Sequence, residues 1–194
     1  MAAGLSSRYG GNKLLEDIGG RSMAGRALDA VPADMLDSVV VVTGYREVRS
    51  LAEEKGFIVV WNDNPQAGVS LTIRLGLREL GDMDAAMFMV CDQPRLKRTS
   101  VEAMVRKYKG LFESNGFKEP LEASSAAVFN APIMCMSYGG VRGNPCIFSS
   151  TYFSRLMSLT GDVGGSVLIK ENAGSVLLFE VGDASELNDV DLSL

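Results

Sequence analysis

Glycine, hydroxyl and basic side chains are crowded into the first thirteen positions, MAAGLSSRYGGNK, a combination suited to one kind of chemistry. Gly4, Gly10 and Gly11 let backbone approach a polyanion closely, and Arg8 and Lys13 bring the charge to neutralise it. The expectation is a phosphate-bearing ligand. A carboxylate follows the apolar run AAMFMVC at Asp92, ahead of Gln93 and Pro94. A residue in that place lies at the carboxyl edge of a sheet, where it can ligate a metal ion or simply cap the turn. Near the end, Asn188-Asp189-Val190-Asp191 puts Asp189 and Asp191 on one face of an extended segment. Read alone, such a pair is a solvated surface feature. Paired with Asp92, it becomes a candidate second ligand.

Composition narrows the chemistry. The chain has 194 residues, a net charge of −5 and no histidine, so Ser-His-Asp and Cys-His nucleophile systems and histidine-ligated zinc are excluded. What remains is carboxylates, Lys, Arg and an oxygen-ligated metal, which for phosphate substrates means Mg²⁺. The acidic balance argues against sequence-independent nucleic-acid binding, which needs a basic surface. No apolar run approaches the roughly 20 residues that span a bilayer, and the N-terminus lacks the basic-then-apolar order of a signal peptide. Cys91, Cys135 and Cys146 are too few and scattered for a disulfide framework, so a reduced, cytoplasmic protein is expected. The length fits a single domain, residues 1–194.

The elements that must position these residues are legible as short apolar runs. Strands are expected at Ser38 to Thr43, Phe57 to Trp61, Ala85 to Cys91, Pro132 to Tyr138 and Ser175 to Val181. The first three barely alternate, as parallel strands covered on both faces do. Helical spacing covers Leu14 to Ala30, Glu47 to Glu54, Ser70 to Leu80, Tyr152 to Leu159 and Gly164 to Glu171. Thr99 and Glu102 suggest a capping box for a further helix that buries Val101, Met104, Val105, Tyr108 and Phe112. Ser114 to Ala131 reads as an irregular excursion, and Tyr138 to Pro145 as a loop. Strands alternating with helices imply a three-layer α/β/α, Rossmann-like and mostly parallel sheet, with ligands at the carboxyl ends of its strands.

The opening loop matches neither the Walker A pattern nor a G-x-G-x-x-G fingerprint. With Gly4, Ser6, Arg8, Gly10 and Lys13 in place, Ala2 to Lys13 instead resembles the loop A-A-G-x-S-x-R-x-G-x-x-K of the molybdenum cofactor cytidylyltransferase family. Gly68-Val-Ser70-Leu-Thr72-Ile-Arg-Leu-Gly76-Leu is similar to its G-x-S-x-S-L-x-x-G-L, and Cys91-Asp92-Gln93-Pro94 to its G-D-Q-P. Gly143-Asn144-Pro145 is similar to its G-H-P, with Asn144 for the usual histidine. Leu159-Thr-Gly161-Asp162-Val-Gly164 resembles L-x-G-D-x-G, and Asp189-Val-Asp191 a terminal D-I-D.

That resemblance implies a sheet of the nucleotide-diphospho-sugar transferase type and a Mg²⁺-dependent transfer of CMP from CTP to the phosphate of the molybdenum cofactor, with pyrophosphate leaving. Ala2, Ala3, Gly4, Ser6, Arg8 and Lys13 would hold the triphosphate, and Gly68, Ser70 and Thr72 the base and ribose. The hydroxyls of Ser70 and Thr72 could equally cap the following helix. Lys13, Arg8 and Asp92 would be catalytic, with Asp92 and Asp191 holding the metal. Arg142, Asn144 and Asp162 would meet the cofactor. Ala2-Ala3-Gly4 sides with cytidine over guanine within the family. A molybdenum hydroxylase of the xanthine dehydrogenase type is the implied client. The alternatives are GTP, a sugar or polyol phosphate acceptor, or a non-catalytic escort of the finished cofactor. Relatives carry an apolar central strand before the A-A-G loop, so the first strand is expected upstream of Met1 or from another segment.

Overall fold

The computed structural model describes residues 13–115 and 132–189. Its main elements, in chain order, are α1 (Met23–Asp29), β1 (Val40–Thr43), α2 (Arg46–Glu54), β2 (Ile58–Trp61), α3 (Val69–Leu80) and β3 (Ala85–Phe88). There follow α4 (Arg98–Asn115), β4 (Ile133–Tyr138), β5 (Val141–Ser149), α5 (Phe153–Ser158), α6 (Ser166–Glu171) and β6 (Val176–Glu180). β1 and β2 pair in parallel, with Val40 opposite Ile58. The other strands form a sheet ordered β3-β5-β4-β6, in which β5 runs antiparallel to β3 and β4 while β4 and β6 are parallel.

Alternation along β4 shows the layering. Ile133 and Cys135 join Phe148 of β5 in a core closed by Ile73 and Leu77 of α3, Leu156 of α5 and Leu168 of α6. Met134 and Met136 face the other way, onto Val101, Met104, Val105 and Tyr108 of α4. Both faces are thus covered by helices, giving the three-layer α/β/α arrangement with a mostly parallel sheet. A third cluster packs α1 and α2 onto Val41, together with Leu14 and Cys91. Burying a side chain of this size contributes about 1.5–3 kcal/mol.

Several expectations are corrected. Residues 138–145 are not a loop: Gly139 (φ +57°) and Gly140 (φ +77°) make a two-residue hairpin turn closed by Tyr138 opposite Val141, so Arg142, Gly143 and Asn144 lie on β5. Glu180 holds that turn, its Oε1 accepting from Ser137 Oγ at 3.0 Å and Gly140 N–H at 2.9 Å. No single helix covers 14–30; Gly19 and Gly20, at φ +63° and +84°, separate a 3-10 turn at Lys13–Leu15 from α1. β2 is not covered on both faces, for Ile58 and Trp61 are 42% and 43% exposed. The ladder of β3 with β5 ends at Phe88 rather than Cys91, so Asp92 stands beyond the last residue of that ladder. Thr99 does not cap α4, which begins at Arg98; Glu102 pairs with Arg98 at 2.9 Å and Arg106 at 3.3 Å instead.

Candidate active site

The edge of the sheet beyond β3 is built from three parts of the chain. Leu14 is buried against α1 and α2, which anchors the 3-10 turn and sets Lys13 beside the strand exit. There Lys13 Nζ donates to Asp92 Oδ2 at 3.2 Å, both side chains being partly buried. The neighbouring Gln93 is buried, and its Nε2 donates to Leu187 C=O and Asp189 Oδ1, each at 3.0 Å. Its Oε1 meets no donor among the described residues. Gly143 of β5 closes the group, since a Cβ there would lie 3.2 Å from Leu187. Because β5 runs against β3, its amino-terminal residues Arg142 and Asn144 lie past the Phe88–Cys146 pair, toward Asp92. Asp92 and Asp189 thus approach one edge through Gln93.

The segment carrying Asp189 is clamped from below. Glu186, only 2% exposed, accepts from Lys97 N–H at 3.1 Å and from Lys97 Nζ at 3.2 Å, while Asp183 accepts from the same ammonium at 3.4 Å. Glu186 raises the ammonium of Lys97 above the ordinary lysine range, and the Ser185 N–H holds the Asp183 carboxyl below the ordinary aspartate range. The raised lysine stabilises the fold below its unfolded value and is lost as pH rises through the folded one. The depressed aspartate contributes above its unfolded value and is lost as pH falls through the folded one. The clamp is therefore unaffected across neutral pH. Glu186→Ala leaves a helix-start N–H unpaired and is expected to cost about 1–3 kcal/mol, with Glu186→Gln lying between it and wild type in urea unfolding.

A second group surrounds the start of α3. Gly68 has φ +83° and presses so tightly on the segment Leu159–Gly164 that a Cβ would stand 2.4 Å from the carbonyl of Gly161. Across this contact Val69 N–H donates to Asp162 Oδ1 at 3.2 Å and Ser70 N–H to Gly161 C=O at 3.3 Å, so a distant segment caps the helix. Asp162 is exposed, and its carboxylate complements the positive end of the helix dipole. Ser70 and Thr72, both buried, lie inside the first turn and do not cap it. Ser70 Oγ accepts from Arg74 at 3.3 Å, and Arg74 also donates to Leu159 C=O. Thr72 Oγ1 accepts from Asn62 Nδ2 at 3.3 Å.

Two of the three thiols are held in the protonated form. Burial pushes the Cys91 thiol up, and proton sharing with Cys135 followed by burial does the same to Cys146. Both stay protonated at neutral pH. Among the described residues no three Cys, Asp or Glu side chains form a metal-binding group. Ala2, Ala3, Gly4, Ser6, Arg8 and Asp191 lie outside the described residues. Sequence reasoning missed Asn62, Glu186 and the helix-capping part of Asp162, because each acts on a partner that no local pattern reveals.

Residues 1–176 match the MobA-like NTP transferase domain family. The chain belongs to this family. As a MobA-like domain it is a nucleotidyltransferase, and the Lys13–Asp92 pair stands just beyond the end of β3. The purine catabolism protein PucB of Bacillus subtilis (strain 168) is 29% identical over 98% of this chain and 89% of its own length. A 3-deoxy-manno-octulosonate cytidylyltransferase of Francisella tularensis subsp. novicida (strain U112) is 29% identical over 53% of this chain and 42% of the relative. The crystal structure of Rv0371c from Mycobacterium tuberculosis H37Rv superposes with TM-score 0.71 at 25% identity, covering 98% of this chain and 89% of that one. A manganese complex of Rv0371c superposes with TM-score 0.65 at 23% identity, over 92% and 84% of the two chains. No helix among the described residues of the MobA-like domain is long and apolar enough to cross a membrane.

Proposed function

We propose that this nucleotidyltransferase moves CMP from CTP to the terminal phosphate of the molybdenum cofactor and releases pyrophosphate. The observation that carries the reading is the meeting of Lys13 and Asp92, 79 residues apart, at the carboxyl edge of β3. A cation and a carboxylate held 3.2 Å apart are the two charges a metal-bound triphosphate requires. Ala2-Ala3-Gly4 and the cytidylyltransferase among the relatives support cytidine. A purine catabolism relative agrees with a purine-oxidising client of the xanthine dehydrogenase type.

The acceptor phosphate oxygen attacks the α-phosphorus of CTP, a P–O bond forms there, and the bond to the β-phosphate oxygen breaks. No protein nucleophile is needed, in keeping with a chain that has no histidine and whose Cys91 and Cys146 thiols stay protonated. Lys13 and Arg8 neutralise the β- and γ-phosphates, with the backbone of Ala2, Ala3 and Gly4 and the Ser6 hydroxyl around them. Asp92, with Asp191, would hold Mg²⁺, whose chemistry when bound is to offset charge on the phosphate oxygens. One carboxylate with oxygen-rich phosphates suits that ion. Gly68, Ser70 and Thr72 set the wall toward base and ribose. On β5, Arg142 meets the acceptor phosphate and Asn144 donates an amide hydrogen bond; Asp162 faces the acceptor from the start of α3.

The test is incubation with labelled CTP, GTP or ATP, Mg²⁺ and isolated cofactor. Transfer from CTP supports the reading. Transfer from GTP alone, transfer to a sugar phosphate, or tight cofactor binding without pyrophosphate release would each replace it. Lys13→Ala is expected to raise the KM for CTP about 10- to 100-fold, the loss of one charge-assisted contact, while the KM for the acceptor changes little. Equal shifts in both constants would move Lys13 to the acceptor side.

A further inference from the structure

β4 and β5 bring two of the three cysteines face to face. Cys135 stands directly opposite Cys146 in the antiparallel ladder, and both belong to the core closed by α3, α5 and α6. Opposed residues of such a ladder have Cα atoms about 4.5 or 5.5 Å apart, and a disulfide spans about 4.4–6.8 Å, so either kind of pair can be bridged with the backbone where it is. Cys91 lies in a different core, against α1 and α2. Burial decides what can reach the pair. Cys135 is 0% and Cys146 7% exposed, which admits an oxidant close to water in size and keeps out a peptide disulfide. Cys146 also has a task on its own strand. Its thiol donates to Gly143 C=O at 3.4 Å and to Asn144 Oδ1 at 3.9 Å, which helps to fix the side chain two residues before it.

We propose that Cys135 and Cys146 are an oxidation site, a dithiol that hydrogen peroxide converts to a cross-strand disulfide, and that closing the disulfide releases Asn144. The hydrogen bond from Cys146 holds the Cys135 thiol below the ordinary cysteine range, with the charge of Arg142 adding to it against the effect of burial, so Cys135 supplies the attacking sulfur. That sulfur attacks one peroxide oxygen and the O–O bond breaks. The other oxygen takes the Cys135 proton and leaves as water, and a sulfenic acid remains. The Cys146 sulfur then attacks the Cys135 sulfur, the S–S bond forms, the S–O bond breaks, and the hydroxyl takes the Cys146 proton as a second water. The two thiols lose two hydrogens with their electrons, and the peroxide is reduced to two waters. Without its proton, Cys146 no longer donates to Gly143 C=O or to Asn144 Oδ1. The effect on catalysis rests on the reading of Asn144 as a donor to the acceptor; the disulfide itself does not.

Peroxide treatment of the folded full chain, followed by alkylation in denaturant and peptide mapping, tests the site. The alkylated thiols are expected to fall from three to one, with the peptides of Cys135 and Cys146 joined and dithiothreitol restoring all three. Cys91→Ala should keep the link, and Cys135→Ala and Cys146→Ala should each lose it. Three free thiols after peroxide, oxygen added to either sulfur without a link, or a link through Cys91 would each overturn the site. In turnover with CTP and isolated cofactor, the oxidised protein should show an acceptor KM raised about 2- to 10-fold, the loss of one weak hydrogen bond, and a CTP KM little changed. A link that forms and leaves the acceptor KM where it was would overturn the part given to Asn144. A chain that forms the link but transfers no nucleotide would overturn the reading of the reaction and leave the oxidation site standing.

Discussion

Asp92→Ala should abolish nucleotidyl transfer, lowering kcat/KM at least about 10³-fold, while leaving the fold in place. Asp92 stands past the end of the β3 ladder and, among the described residues, makes no strand pair, so its removal leaves the sheet intact. Its ion pair with Lys13 is partly solvated at 21% and 29% exposure, and breaking such a pair costs about 1 kcal/mol or less. The size of the activity loss reflects a role confined to the reacting charges, where each fixed group works in a site from which water is displaced. Pyrophosphate release and Tm are the two measurements. Asp92→Asn keeps the shape and removes the charge, and should be nearly as inactive. Undiminished turnover in either variant would remove Asp92 from the chemistry.

Gly68→Ala is expected to be the most damaging alanine substitution among the described glycines. Two costs coincide: a backbone at φ +83° that L residues rarely adopt, and a Cβ 2.4 Å from both carbonyl atoms of Gly161 and 2.6 Å from Asp162 N. The neighbour is backbone and cannot swing away as a side chain would. A loss of about 3–5 kcal/mol follows, or a fall in Tm of roughly 6–20 °C for a chain of this size. Gly140→Ala is the control, because φ is +77° there but nothing lies within 4 Å of the added carbon. It should cost only about 1 kcal/mol. If the two substitutions prove equal, the close approach of Gly68 and Gly161 is not the source of the effect.

Much of this architecture can be read directly from apolar runs. VVVT and IVVW become β1 and β2 because both are rich in β-branched residues, and the helix of Val101 to Tyr108 is evident from its spacing. β5 escaped because Gly139-Gly140 and Gly143 look like loop residues, although a Gly-Gly pair between apolar segments is also a hairpin signal. Helix starts were misplaced wherever the cap comes from far away. Asp162 lies 93 residues from the N–H it accepts, and Glu186 lies 89 residues from the N–H of Lys97. No window of sequence contains both halves of such a contact. The same holds for the site: Lys13 and Asp92 each carry suitable chemistry, but their meeting was visible only through the family resemblance. Asp189 was expected near Asp92 without its intermediary, Gln93, which ties the two segments across 96 residues.

The reversed direction of β5 divides the labour of the edge between two kinds of connection. Parallel strands reach it by their last residues, and changing what they present means altering a crossover that also packs the core. β5 reaches it by its first residues, just after a two-residue turn held by Glu180. That turn can grow, shrink or change composition while every crossover helix stays put. A lineage built on this scaffold can therefore retune what Arg142 and Asn144 meet without relearning how to grip a nucleotide.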